Sequence, residues 1–118
     1  MNKLDKVKRI VIQKTLKLDC GKSISNFPIA YETYGRLNEN KDNAILVFHA
    51  LTGDQFASGV NPVTNKEGWW SYAVGSGKAI DTNKYFVICA NVLGGCMGSY
   101  GPSDINPENK KIFGTDFP

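Results

Sequence analysis

Residues 44–53 read AILVFHALTG. The first five are apolar, and the sixth, His49, begins a short turn of small and polar residues that ends in Gly53. Asn43 before the apolar run and Gly53 after it leave too little length for a buried helix. The run therefore predicts a β-strand buried on both faces of a parallel sheet. In open α/β sheets, functional sites form beyond the carboxyl ends of the strands. Residues 49–53 are therefore the first candidate for a site.

A second unbroken apolar run, YFVICA at residues 85–90, predicts a second buried strand. The connection between the two runs contains WWSYAV at residues 69–74, a pattern that predicts a short helix ended by Gly75 or Gly77. A strand, a crossover with a helix and another strand form a βαβ unit with parallel strands and a right-handed crossover. The central part of the chain thus indicates an α/β fold.

Two segments with alternating apolar and polar residues precede this unit, at residues 10–18 and 27–34. The turn DCGK at residues 19–22 follows the first, so the pair predicts an antiparallel hairpin. Pro28 favours an edge position or a strand start, because proline cannot donate to a ladder. The polar residues 37–43 form a loop. The predicted fold class is α/β, an antiparallel hairpin followed by a βαβ unit.

The last segment, residues 91–118, is rich in glycine and proline and has no periodic pattern. A loop of this length in a compact domain is unusual and is often functional. With no helix after the last strand, the predicted sheet has too few helices to cover its faces. We therefore expect residues 1–118 to be the first part of a larger α/β protein.

Composition and charge narrow the functional classes. Seven of the fourteen basic residues lie in the first 22 positions, but they alternate with apolar residues, which favours the solvated face of a strand over a nucleic-acid arm. No apolar run approaches the roughly 20 residues of a membrane span, and no secretory signal is visible. Three cysteines and one histidine predict reduced thiols and no metal site. We expect a cytoplasmic protein that binds neither nucleic acid nor membranes.

The turn after the first buried strand suggests a specific chemistry. In the α/β-hydrolase architecture the corresponding loop contributes a backbone N–H to an oxyanion hole, and here the donor would be the N–H of Leu51. His49 fits an anchor of this loop, through its ring nitrogens, better than a base. A strand-terminal turn without chemistry is the alternative.

A nucleophile is missing from the sequence. No Gly-x-Ser-x-Gly elbow occurs, and the only histidine precedes every candidate serine. Cys89 lies in a predicted buried strand, and Cys96 has no basic neighbour that would lower its pKa. Neither thiol is expected to act as a nucleophile.

Five blocks of sequence then point to a family. They are YETYG at 31–35, HALTGD at 49–54, GWW at 68–70, NVLGGC at 91–96 and GSYGPS at 98–103. Their order and spacing resemble the N-terminal third of the homoserine O-acetyltransferase family, from about Phe27 to Pro118. The matching positions place the Leu51 N–H in the oxyanion hole. Asp104 stands where many members of the family have a serine.

This resemblance implies an α/β-hydrolase fold and transfer of an acetyl group from acetyl-CoA to the hydroxyl of L-homoserine, in methionine biosynthesis. Acetyl-CoA would be a co-substrate, with no bound cofactor, and the full-length protein a homodimer. The reaction would pass through an acyl-enzyme on a Ser-Asp-His triad. In the family the nucleophile elbow, the triad Asp and His and the helical lid lie beyond Pro118, so this chain alone is expected to be inactive.

The hydrolase-type strand order places residues 85–90 beside the hairpin and residues 44–48 next outward. Several functions share this architecture. Homoserine O-succinyltransferase, serine acyltransferase and esterase activities remain open, because the missing part would supply most of the acyl pocket. A non-catalytic α/β binding module, for which the 118 residues would be complete, is the alternative from another class.

Overall fold

The structure is a computed structural model that describes residues 2–118. Its regular elements are eight short β-strands and two 3₁₀ helices. The strands are β1 (Arg9–Ile12), β2 (Leu16–Lys17), β3 (Ser23–Ile24), β4 (Phe27–Tyr34), β5 (Ala44–Val47), β6 (Val74–Gly75), β7 (Ile80–Asp81) and β8 (Phe86–Ala90), and the 3₁₀ helices are Lys3–Lys6 and Gly114–Asp116. No helix within residues 2–118 has the length and apolar character needed to cross a membrane.

The main sheet has four strands in the order β1-β4-β8-β5. β4 is antiparallel to both of its neighbours, and β5 runs parallel to β8 with Leu46 opposite Ile88. The predicted strand order, with residues 85–90 beside the hairpin and residues 44–48 outward, is confirmed. β5 therefore forms an edge of the sheet.

The predicted hairpin is present but interrupted. β1 pairs with the first half of β4, whereas Leu16–Lys17 leaves that ladder and pairs with Ser23–Ile24 in a separate two-stranded sheet. Lys14 interrupts the apolar side of the alternating segment, which accounts for the break in a strand expected over residues 10–18. Pro28 is the second residue of β4, as expected for a strand start, and β4 pairs with β8 only beyond Ala30.

The helix predicted at residues 69–74 is wrong. Residues 69–73 form consecutive turns, with a single helical hydrogen bond from the N–H of Val74 to the Trp70 carbonyl at 3.0 Å. Val74 instead enters β6, which pairs in parallel with β7. The segment between Gly68 and Gly75 is too short to propagate a helix against this pairing. The crossover thus joins parallel strands, as predicted, but residues 2–118 contain no α-helix.

The core lies on one face of the sheet, which we call the inner face. Its buried residues form two clusters. The first is Val47, Ala57, Val74, Val87 and Cys89, with Tyr34, Ile45, Trp70 and Ile80 packed against it, and the second is Val7, Ala30 and Phe56. Along β5, β8 and the second half of β4, the opposite face, which we call the open face, carries residues that are only half-buried or exposed; these are Tyr31, Thr33, Leu46, Phe86 and Ile88. The prediction that residues 44–48 are buried on both faces is therefore wrong for this chain, because only the inner face is covered.

The segment after β8 has little regular structure, as predicted. An isolated bridge joins Ile105 to Ile112. The ring of Tyr100 lies 5.6 Å from the rings of both Phe113 and Phe117, in edge-on arrangements. This aromatic cluster gives the segment an apolar centre of its own.

Candidate functional site

Two loops meet at the carboxyl ends of β5 and β8. Because these strands are parallel neighbours, the residues that follow them emerge at the same edge of the sheet. His49 comes two residues after β5, and Asn91 directly follows β8. The loop of residues 91–101 and the turn of residues 49–53 are thereby brought into contact.

The His49 ring joins the two loops. Its Nδ1 lies 2.7 Å from the carbonyl oxygen of Ala50. Its Nε2 lies 3.2 Å from the backbone nitrogen of Val92 and 3.3 Å from the side-chain nitrogen of Asn91. A carbonyl oxygen can only accept and a backbone N–H can only donate, so the neutral tautomer with the proton on Nδ1 satisfies every contact. These contacts are those expected of a loop anchor.

Asn91 is the polar centre of the second loop. It is buried, and its backbone N–H donates to the Ala30 carbonyl at 2.8 Å. Its side-chain oxygen accepts the N–H of Met97 at 3.2 Å. Gly95 makes room for this side chain, since a Cβ there would lie 2.6 Å from the Asn91 Oδ1. Sequence reasoning missed Asn91, although its position directly after a buried strand was the available signal.

Ser99 ties the same loop to β4. Its hydroxyl accepts the N–H of Ala30 at 2.9 Å and donates to the Asn91 carbonyl at 2.6 Å. Ser99 is itself buried. The side of the site that follows β8 is therefore held by hydrogen bonds to β4 at several points.

The turn after β5 is different. It closes with the N–H of Gly53 donating to the Ala50 carbonyl at 2.8 Å. Leu51, at its tip, is 98% exposed. Within residues 2–118, the N–H of Leu51 has no hydrogen-bond acceptor. This N–H is therefore available to a ligand.

Asp54 has a structural role beside this turn. Its carboxylate accepts the N–H of Phe56 at 2.8 Å and the side-chain amide of Asn61 at 3.1 Å. Its carbonyl accepts the indole N–H of Trp69 at 2.9 Å. The Trp69 ring stacks on Trp70 with centroids 5.6 Å apart, and Trp70 packs against the core. All of these contacts hold the backbone beside the turn in place.

The two thiols considered as nucleophiles lie in different surroundings. Burial, with a smaller contribution from the Asp54 charge, raises the pKa of Cys89 to about 11, so this thiol is neutral at physiological pH. Cys96 is exposed in the loop of residues 91–101. Within the described part of the chain, no three histidine, cysteine or acidic side chains are grouped as metal ligands.

Comparisons with known proteins agree with this architecture. No protein-family model matches the chain. The chain is 77% identical, over 112 residues, to the homoserine O-acetyltransferase of Pelagibacter ubique, covering 95% of this chain and 30% of that protein. It is 58% identical, over 103 residues, to the enzyme of the same name from Bradyrhizobium diazoefficiens, covering 87% of this chain and 26% of that protein. The chain belongs to the homoserine O-acetyltransferase family.

Solved structures extend the comparison. The homoserine O-acetyltransferase of Bacillus anthracis aligns with a TM-score of 0.83 at 34% identity, covering 96% of this chain and 32% of that one. Esterase E22 aligns with a TM-score of 0.79, also at 34% identity, covering 95% of this chain and 33% of that one. The predicted α/β-hydrolase fold class is confirmed. The chain spans about 26–30% of the length of the two curated relatives.

Proposed function

We propose that this segment belongs to an acyltransferase that moves an acetyl group from acetyl-CoA to the hydroxyl of L-homoserine, in methionine biosynthesis. The observation that carries the proposal is the 77% identity to an enzyme of that name along 95% of the chain. The substrates are small molecules, acetyl-CoA acts as a co-substrate, and no bound cofactor takes part. We further propose a cytoplasmic homodimer for the full-length protein.

Residues 1–118 form, in this proposal, the N-terminal part of one α/β-hydrolase domain that is interrupted before the nucleophile elbow. The nucleophilic serine and the Asp and His of its triad come from residues beyond Pro118. The serine oxygen attacks the thioester carbonyl, the carbon–sulfur bond breaks, and CoA leaves. The homoserine hydroxyl then attacks the acyl-enzyme, and the bond to the serine breaks.

The contribution of this segment is the N–H of Leu51. Each of the two steps passes through a tetrahedral species whose oxygen carries a negative charge. A preorganised backbone N–H directed at that oxygen stabilises it more than it stabilises the planar substrate. The unpaired Leu51 N–H, in the turn beyond the carboxyl end of β5, supports this assignment.

An esterase of the same fold is the second candidate. Esterase E22 matches the chain at the same 34% identity as the Bacillus anthracis acetyltransferase, and with a similar TM-score. The two activities share the acyl-enzyme and the oxyanion donor, and they differ in whether water or an amino-acid hydroxyl accepts the acyl group. The acceptor must therefore be tested directly.

The full-length protein that carries this segment should be assayed for CoA release from acetyl-CoA, with and without L-homoserine. We expect release to depend on homoserine and to exceed that with succinyl-CoA or with L-serine as acceptor. Acyl release at the same rate without an acceptor would support the esterase instead. The isolated 118-residue chain serves as the control, and it is expected to be inactive because it lacks the nucleophile.

A further inference from the structure

We propose that Asn91 is a positioning residue that acts through His49 to fix the direction of the Leu51 N–H. The proposal rests on the proposed function, in which that N–H stabilises the oxyanion. It assigns a task to two side chains that do not themselves touch the reacting atoms. Four groups link the end of β8 to the tip of the turn after β5. They are the Asn91 side-chain amide, the His49 ring, the Ala50 carbonyl and the Leu51 N–H.

The first contact fixes the orientation of the Asn91 amide. The N–H of Met97 needs an acceptor, so the oxygen of the Asn91 side chain must face it. The amide nitrogen then faces the His49 Nε2, 3.3 Å away. Because Asn91 is buried and held at its backbone by Ala30, the amide has little freedom to rotate.

The second contact fixes the tautomer of His49. Nε2 faces two donors, the Asn91 amide nitrogen and the N–H of Val92. A proton on Nε2 would leave both of these donors facing another donor, without an acceptor. The ring therefore carries its proton on Nδ1. Nδ1 then donates to the Ala50 carbonyl at 2.7 Å.

The third contact reaches the oxyanion donor through one peptide bond. The carbonyl of Ala50 and the N–H of Leu51 belong to the same planar unit, and no peptide bond within residues 2–118 is cis. In a trans peptide the C=O and the N–H point in opposite directions. Holding the Ala50 carbonyl with the His49 Nδ1–H and the Gly53 N–H therefore directs the Leu51 N–H away from the anchor.

These contacts also strengthen the donor. Hydrogen bonds accepted by a carbonyl polarise the N–H of the same peptide unit, because linked hydrogen bonds reinforce one another. The Ala50 carbonyl accepts two such bonds, at 2.7 Å and 2.8 Å. The anchor thus both orients the Leu51 N–H and improves it as a donor.

The first test is Asn91→Asp in the full-length protein. Aspartate keeps the shape and the acceptor for Met97, but it replaces the donor that faces His49 with an acceptor. We expect kcat to fall on the order of tenfold to a hundredfold, the scale of a misplaced catalytic group, with KM for acetyl-CoA little changed. Asn106→Asp is the matched control: the Asn106 side-chain oxygen caps Glu108 in the same segment, and the same charge is added away from the site. It should leave kcat unchanged.

The second test separates the two ring nitrogens. His49→Asn keeps an amide donor near the position of Nδ1, whereas His49→Gln extends its amide towards the position of Nε2. We expect His49→Asn to retain clearly more kcat than His49→Gln. Equal losses in the two variants would contradict a role for the Nδ1–H.

The third readout is independent of activity. The nitrogen chemical shifts of a ¹⁵N-labelled His49 ring should show a protonated Nδ1 and an unprotonated Nε2 in the wild type, and Asn91→Asp should change this pattern. A normal kcat in Asn91→Asp would overturn the proposal, and so would an unchanged ring pattern. If Leu51→Pro is impaired while Asn91→Asp is normal, the positioning role fails and the proposed function survives. If Leu51→Pro has normal kcat, the oxyanion assignment fails and the positioning role fails with it.

Discussion

β5 and β8 are neighbouring parallel strands with the same kind of sequence, yet they differ in exposure. β8 lies between β4 and β5, with Val87 and Cys89 fully buried on the inner face and Ile88 half-buried on the open face. β5 lies at the edge, where Leu46 is 56% exposed, and Phe48 directly after it is 78% exposed. An apolar run therefore indicates that a strand is suited to a buried position. The exposure of that strand depends on which neighbouring elements residues 2–118 provide.

The loops after the two strands differ in the same direction. The loop after β8 is tied to β4 through Asn91 and Ser99, whereas the turn after β5 ends in an exposed Leu51 with an unpaired N–H. One side of the site is a scaffold, and the other presents a donor. The predictions below test this division.

The largest effect is expected on the presenting side. In the full-length protein, Leu51→Pro removes the unpaired N–H at a position where it makes no hydrogen bond within residues 2–118. We expect kcat to fall on the order of 10²–10³, the scale for one oxyanion donor. The melting temperature should change little and must be measured alongside, because proline also restricts Ala50. A folded variant with near-normal kcat would remove Leu51 from the mechanism.

The next prediction compares truncations in the two strands. Val87→Ala removes buried contacts from the inner face, so it should lower the free energy of unfolding by about 2 kcal/mol in both the isolated chain and the full-length protein. Leu46→Ala should cost less than about 0.5 kcal/mol in the isolated chain, where the side chain is exposed. In the full-length protein we expect a cost of roughly 2–5 kcal/mol, because the remaining chain covers the open face.

Urea unfolding of the wild type and the two variants, each as the isolated chain and as the full-length protein, measures this difference. An equal and small cost of Leu46→Ala in both contexts would show that the open face stays exposed in the full-length protein.

The smallest effect concerns the thiols. Burial raises the pKa of Cys89 to about 11, so at pH 8 almost none of it is thiolate. Cys20 and Cys96 are exposed. In the folded chain, alkylation at pH 8 should modify Cys20 and Cys96 quickly and Cys89 only after unfolding, as followed by mass spectrometry. Since the pKa of Cys89 is raised from 9.0 to about 11 in the folded chain, loss of its proton favours the unfolded state as the pH rises through this range, and modification of Cys89 should increase there. Modification of Cys89 at the rate of Cys96 at pH 8 would contradict its burial.

These contrasts also show what sequence can predict. The two apolar runs gave both strands and their parallel pairing, because an unbroken apolar run of this length has few other structures available to it. The helix predicted at residues 69–74 is wrong. The pairing of Val74 with Ile80 overrides a weak helical preference in a short segment between glycines.

The site was predictable only in part. His49 and Leu51 could be selected because they lie in the turn that follows the first apolar run. The place of Asn91 depends on contacts with Met97, Ser99 and His49 that are set by tertiary structure, and no local pattern contains them. A polar residue directly after the second buried strand was the one available signal.

The sequence of β5 is suited to the interior of a larger sheet. The N–H of Phe86 donates to the Asn43 carbonyl. Because N–H groups alternate in direction along a parallel strand, those of Ile45 and Val47 point at β8. The N–H of Leu46 points away from β8, at the outer edge of the sheet where no strand pairs with β5. Hydrogen exchange of the Leu46 and Ile88 amides, in the isolated chain and in the full-length protein, tests this directly. We expect Ile88 to be protected in both, and Leu46 to exchange fast in the isolated chain and slowly in the full-length protein. Slow exchange at Leu46 in a monomeric, sharply melting isolated chain would mean that the 118 residues form a complete domain, and it would contradict an interior position for β5.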